Sequence, residues 1–178
     1  MVDLVDILNI RNVACHVAVT SKKKALHQAS RMLSDSLNAT PPDQSPESVT
    51  DDTQVERNAE EVLNEVDILD ALIERERLGS TALGSGVAVP HGHLPELQSP
   101  IAALMTLSDG VEFDAPDDAA VDIIFALLVP EDSNDDHLAI LSQVASRFDS
   151  TEVTDALRSC GPEELERALD IFCSAENT

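Results

Sequence analysis

Residues Ile123-Ile124-Phe125-Ala126-Leu127-Leu128-Val129 form an unbroken apolar run between Asp122 and Pro130. A strand with one wet face alternates apolar and polar residues, so a continuous run of this length reads as a central strand covered on both sides. Such a strand needs helices above and below it. The rest of the chain offers them, and the order of elements predicts one α/β domain: a mixed β-sheet flanked by helices on both faces. A first strand is expected over Asn12–Val19, closed by Thr20-Ser21 as the N-cap of a helix that starts at Lys22. Ala25, Leu26, Ala29, Met32 and Leu33 share one face of that helix. A second helix running to about Arg77 would bury Val62, Val66, Leu69, Leu72 and Ile73, and Leu78-Gly79 ends it.

Short strands follow near Val87–Val89, Ile101–Leu107 and Val121–Val129. Pro130 to Asp136 reads as a loop with capping residues. It leads into a helix that turns Leu138, Leu141, Val144, Ala145 and Phe148 to the core. Gly161-Pro162-Glu163-Glu164 opens the last helix, with proline in its first turn. Residues 39–56 are rich in Pro, Ser and acids and poor in large apolar side chains, so a mobile acidic loop is expected there.

Charge narrows the function. The 178 residues carry a net charge of −23 and no Trp or Tyr, which disfavours nucleic acid and anionic lipid as partners. Solubility or a salty habitat explains such acidity, and so does steering of a basic protein partner. The basic residues are unevenly placed: Arg11, Lys22, Lys23, Lys24 and Arg31 lie near the start, and none occurs from Leu78 to Ser146. Cys15, Cys160 and Cys173 have no metal-like spacing and read as reduced thiols. The acidic opening Met1-Val-Asp-Leu-Val-Asp has no basic region of a signal peptide, and no apolar run approaches the roughly 20 residues of a spanning helix. A cytoplasmic protein without membrane insertion is expected.

Within the window that lacks Lys and Arg stands Gly84-Ser-Gly-Val-Ala-Val-Pro-His91, and further on Asp136-His137-Leu138. His91 would end a short apolar strand. Pro90 stiffens the approach, and Gly84 and Gly86 let backbone pass close to a partner or ligand. His137 would sit in the first turn of a helix, where amide groups and the positive dipole end favour an anion and keep the ring neutral. Two such imidazoles could accept and brace one phosphoryl group. Arg75 is the expected cation, since a guanidinium forks two oxygens, with Arg77 second to it. Ser80 and Thr81 could add hydroxyl donors, although Ser80 also suits a turn.

Other readings stay open on the residues alone. A lone histidine after a strand is more often structural than nucleophilic. His91-Gly92-His93 hints at a metal but lacks a third ligand, so no metal and no cofactor is expected. A serine hydrolase lacks its Gly-x-Ser-x-Gly elbow. His16 and His27 have no supporting context and read as structural.

The stretch Arg75-Glu-Arg-Leu-Gly-Ser-Thr-Ala-Leu-Gly-Ser-Gly-Val-Ala-Val-Pro-His91-Gly92 resembles the signature of the fructose/mannitol-type IIA domains of the bacterial phosphotransferase system. His137-Leu-Ala-Ile-Leu-Ser-Gln-Val-Ala resembles the second motif, and Ser21-Lys22-Lys23 with Ala25-Leu26 the usual start of the first helix. The resemblance implies a cytoplasmic phosphocarrier in which His91 takes a phosphoryl group from a small HPr- or NPr-type phosphocarrier protein, itself charged by enzyme I from phosphoenolpyruvate. It implies that His137 braces His91 or the phosphoryl group and that Arg75 stabilises its charge. A free-standing domain of this kind is most similar to the nitrogen-regulatory (PtsN-type) branch, which relays a phosphorylation state to a regulatory target such as potassium transport. The alternatives are a sugar-specific IIA that feeds a separate IIB component and a regulatory binder that is not phosphorylated. Two features depart from the pattern: His93 stands where a basic residue is common, and residues 39–56 look longer than the usual connection.

Overall fold

The computed structural model describes residues 3–39, 63–132 and 134–174. Helix α1 spans Leu4–Ile7 and leads through a 3-10 turn at Ile10–Asn12 into strand β1, Val13–Val17. Helices α2 (Lys22–Leu37) and α3 (Glu65–Arg77) come next, then β2 (Ala82–Gly84), β3 (Val87–Ala88) and β4 (His91–Leu94). The two long strands β5 (Ile101–Val111) and β6 (Val121–Pro130) follow, and α4 (Asn134–Phe148), α5 (Thr151–Ser159) and α6 (Leu165–Ser174) complete the order.

Strand β6 is the axis of the sheet. It pairs antiparallel with β5 on one side and parallel with β3 and β4 on the other, in the order β1-β5-β6-β3-β2. Its apolar run is buried on both faces, and alternation divides it. Ile123, Phe125, Leu127 and Val129 enter the core beneath α4, α5 and α6, while Ile124, Ala126 and Leu128 enter the core beneath α2 and α3. All seven are 0% exposed. At about 1.5–3 kcal/mol for each large aliphatic side chain removed from water, this one strand anchors both layers. The expected mixed sheet with helices on both faces is the observed fold.

Local signals explain the helix starts. The Ser21 hydroxyl accepts from the amide of Lys24 and opens α2, whose Ala25, Leu26, Ala29, Met32 and Leu33 are buried as the spacing requires. The Asn64 side chain accepts from the amides of Val66 and Asp67 and opens α3.

Several boundaries differ from expectation. The buried stripe of α3 is Ile68, Leu72 and Glu76, while Val66 is 63% exposed because it lies about 200° around the helix from Ile68. Leu138 is likewise exposed, and Ile140, Val144 and Phe148 carry the buried face of α4. Thr151–Ser159 forms a separate helix, capped by Ser150, that the pattern did not reveal. The last helix begins at Leu165, with Pro162 in the turn before it. The expected loop at 39–56, beyond Ala39, and Val62 lie outside the described residues, as does Ser133 among the expected caps of α4. Among the described residues no helix is long and apolar enough to cross a membrane.

The segment expected as one short strand ending at His91 is two strands in one line. β3 pairs Val87 with Ile123 and Ala88 with Ile124; β4 resumes with His91 opposite Leu127 and ends with Leu94 opposite Pro130. The register is the same on both sides of Pro90. Proline has no N–H for the ladder, so pairing lapses there, but the Pro90 carbonyl still accepts from Leu127. His91 therefore begins a strand fastened to the central one. The β2–β3 hairpin turns on Ser85-Gly86, with φ of 54° and 80°, the left-handed pair that a two-residue hairpin turn needs.

Candidate functional site

Strand alternation sends His91 and His93 to the α4 side of the sheet, the side that also receives Val87 and Val89. There they meet His137, the fourth residue of α4. The His91 and His137 rings stand edge to face at 5.1 Å between centroids, and the His93 and His137 rings stack at 4.6 Å. His137 Nδ1 lies 2.9 Å from His93 Nε2. Gly92, between the two β4 histidines, points the other way, onto α3. A Cβ there would lie 3.0 Å from the Ala71 Cβ and 3.1 Å from its carbonyl carbon. Glycine lets the helix come this close, and a larger residue would require it to give by a few tenths of an ångström. Among the described residues β4 pairs with β6 alone, and Arg75 of α3 reaches His91.

The contacts of His91 define its state. Its Nδ1 lies 2.8 Å from the Val89 carbonyl oxygen, which only accepts, so Nδ1 carries the ring hydrogen. Nε2 is left with the lone pair, and it accepts from Arg75 Nε at 3.0 Å. Burial, with the Arg75 guanidinium beside it, pushes the His91 pKa below its ordinary value and keeps the ring neutral. Burial also pushes His137 down to about 4, helped by His91, His93 and Arg75. The neutral His137 expected from its helix position is present, but desolvation and its neighbours supply the cause. Arg75 is also held by Gly79, whose carbonyl accepts from Nη1 at 3.2 Å. Arg77 is exposed and lines the same surface groove as Arg75, Leu78 and His93.

Three further residues singled out from the sequence are engaged elsewhere. The Ser80 hydroxyl donates to the Phe113 carbonyl and accepts from the Ala82 amide. The Thr81 hydroxyl and amide both donate to the buried carboxylate of Glu76. Gly86 lies against the Arg158–Asp122 ion pair, where a Cβ would meet Arg158 Nη2 at 2.6 Å and Asp122 Oδ1 at 2.7 Å. The structure thus gathers Arg75, His91, His93 and His137, and does not bring Ser80, Thr81 or Gly86 to them as donors.

Glu76 was missed. It is 8% exposed, binds Lys22 Nζ at 2.7 Å and, through Thr81, ties the chain leaving α3 to the end of the helix that carries Arg75. An acid directly beside the key arginine was the available signal. Lys22 in turn reaches Asp114 at 3.0 Å and lies 4.8 Å above the Phe113 ring. His16 and His27 bond elsewhere: the His16 amide donates to Thr106 and the His27 ring pairs with Glu65. Among the described residues no group of three or more His, Cys, Asp or Glu is placed to hold a metal ion.

The model of a family described as phosphoenolpyruvate-dependent sugar phosphotransferase system, EIIA 2, matches residues 6–170. A nitrogen regulatory protein of Pseudomonas aeruginosa is 49% identical over 92 residues, 52% of this chain and 60% of that protein. A phosphotransferase system fructose-specific EIIA component of Haloferax volcanii is 36% identical over 89 residues, 50% of this chain and 58% of that protein. This chain thus spans about 60% of the length of the curated relatives it matches. In three dimensions it is similar to the nitrogen regulatory protein IIA-Ntr of Neisseria meningitidis, with a TM-score of 0.76 and 29% identity over 94% of this chain and 97% of that one.

Proposed function

The chain belongs to the phosphoenolpyruvate-dependent sugar phosphotransferase system EIIA 2 family, and on that premise we propose that it is a phosphocarrier whose acceptor atom is Nε2 of His91. The bond from His91 Nδ1 to the Val89 carbonyl carries this reading, because it leaves the lone pair on Nε2 of a neutral ring. Nε2 attacks the phosphorus of a donor phosphohistidine. The donor N–P bond breaks, its electron pair returns to the donor ring, and a new N–P bond forms on His91. Nδ1 keeps its hydrogen throughout, so the phosphorylated His91 ring carries positive charge, braced by the Val89 oxygen. That charge makes it a good leaving group for the next transfer.

Arg75 donates to the attacking nitrogen in the resting protein. As the phosphoryl group arrives, the guanidinium moves from nitrogen to phosphoryl oxygens, which it can bind two at a time. Rate enhancement comes from positioning and from fixed donors at a site shielded from water. The donor in this reading is a small HPr- or NPr-type phosphocarrier protein in the cytoplasm. Likeness to nitrogen regulatory proteins, by sequence and by fold, supports a regulatory target as the recipient of the signal. A second reading, transfer to a IIB component for sugar uptake, is favoured by the fructose-specific relative.

Incubation with enzyme I, the HPr-type carrier and phosphoenolpyruvate, followed by intact mass, tests the core of the proposal. One added phosphoryl group on the wild type and none on His91→Ala is expected. An unmodified wild type would reduce the chain to a binding protein, and phosphate that persists on His91→Ala would place the acceptor elsewhere.

A further inference from the structure

Beside His91 and Arg75, the ring of His137 is a third group that an incoming phosphoryl group would meet. His137 is buried and neutral, so it carries a single N–H, and whichever nitrogen holds it decides what a phosphoryl group would meet. Its Nδ1 is engaged with His93 Nε2 at 2.9 Å, in rings stacked at 24° to one another. We infer that His93 is a positioning residue: its Nε2–H donates to His137 Nδ1 and thereby fixes the N–H of His137 on Nε2. The inference rests on His91 being the phosphoryl acceptor.

The direction of the bond follows from what the alternatives would do. Were His137 Nδ1 the donor, its Nε2 would keep a bare lone pair on a buried ring that stands beside His91. A phosphoryl dianion on His91 would then face the lone pair of His137 Nε2, and only Arg75 would answer it. With His93 as donor, Arg75 and His137 both present hydrogens. His93 suits the task because it is exposed and on β4: water can satisfy its other nitrogen, and the β6 ladder fixes its backbone. The departure at this position thus has a use. A long basic side chain there would supply a flexible charge, whereas this imidazole supplies one donor at a set place.

The wild type, labelled with 15N in its histidine rings, reports the tautomer directly, with His137→Ala to assign the signals. A hydrogen on Nε2 of His137 and a bare Nδ1 are expected; a hydrogen on Nδ1 overturns the inference. This measurement needs no phosphorylation, so it decides the matter even if His91 proves not to be an acceptor. Transfer rates from the phosphorylated HPr-type carrier supply the second readout. His93→Leu removes the donor and should slow phosphorylation of His91 about tenfold, the effect of one lost hydrogen bond in the transition state. His93→Gln keeps an N–H at the same reach and should restore most of the rate. Equal rates for His93→Leu and wild type, or equal slowing in both variants, would contradict the assignment.

Discussion

Replacing Gly92 by alanine separates the reach of Arg75 from its chemistry, since the change touches neither Arg75 nor a histidine. The added Cβ would lie 3.0 Å from the Ala71 Cβ, 3.1 Å from its carbonyl carbon and 3.2 Å from its oxygen. Two of these atoms are helix backbone and cannot turn aside. Relief comes if α3 gives by a few tenths of an ångström, and α3 carries Arg75. Overpacking of this kind costs about 1–3 kcal/mol. Alanine returns about 0.4–1 kcal/mol by restricting the unfolded chain. Mid-range values leave a net loss of about 1.3 kcal/mol, or a melting temperature lower by about 3–5 °C for a domain of this size. The Arg75–His91 bond of 3.0 Å lengthens with the helix, so phosphorylation of His91 should slow by about tenfold in protein that is still folded. Thermal melts and stopped phosphorylation assays on matched samples give the two numbers. A variant as stable as wild type with an unchanged rate would show that the close packing of α3 on β4 does not set the arginine.

Gly86→Ala should have the opposite profile. Its φ of +80° and a Cβ 2.6 Å from Arg158 Nη2 predict a loss of about 2–3 kcal/mol by urea titration, while the folded fraction phosphorylates at the wild-type rate. Glu76→Ala removes the acceptor for Thr81 and the partner of Lys22; a loss of about 2 kcal/mol and slower transfer are expected, and wild-type values for both would leave Glu76 without the bracing role given to it. Acidification should also destabilise the protein. His137 titrates at about 4 when folded against an ordinary value of 6.5, so the unfolded chain binds more protons in between. Its contribution is whole above pH 6.5 and is lost as pH falls towards 4. Melting temperatures of wild type should drop over that interval more steeply than those of His137→Gln, and parallel curves would remove His137 as the cause.

Much of this molecule was legible in its residues because two periods were clear. The apolar run of β6 required cover on both faces, and the spacing Ala25, Leu26, Ala29, Met32, Leu33 could only be a buried helical stripe. What escaped notice had non-local causes. β4 contains His91, Gly92 and His93, none of them a typical strand residue, and it exists because β6 offers an open ladder. Val66 and Leu138, by contrast, are exposed because each lies about 200° around its helix from a buried residue, Ile68 and Ile140, so the expected stripe is too wide. At the site, the histidines and Arg75 were found through residue chemistry and motif. Ser80 and Thr81 looked equally suited to phosphate, but their hydroxyls answer to the Phe113 carbonyl and to Glu76, contacts between segments that no spacing rule could supply. His93 was noticed as a departure; that it touches His137 depends on α4 folding back over β4.

The uninterrupted register across Pro90 bears on how such a protein could report its state. His91 is a rung in a ladder shared with the most deeply buried strand of the molecule, and moving its Cα would mean breaking that ladder. A phosphoryl group on its ring would then add charge to one face while the outline of the face stays as it was. A reader of that state would have to measure potential and hydrogen-bonding capacity, because there would be little change of shape for it to feel.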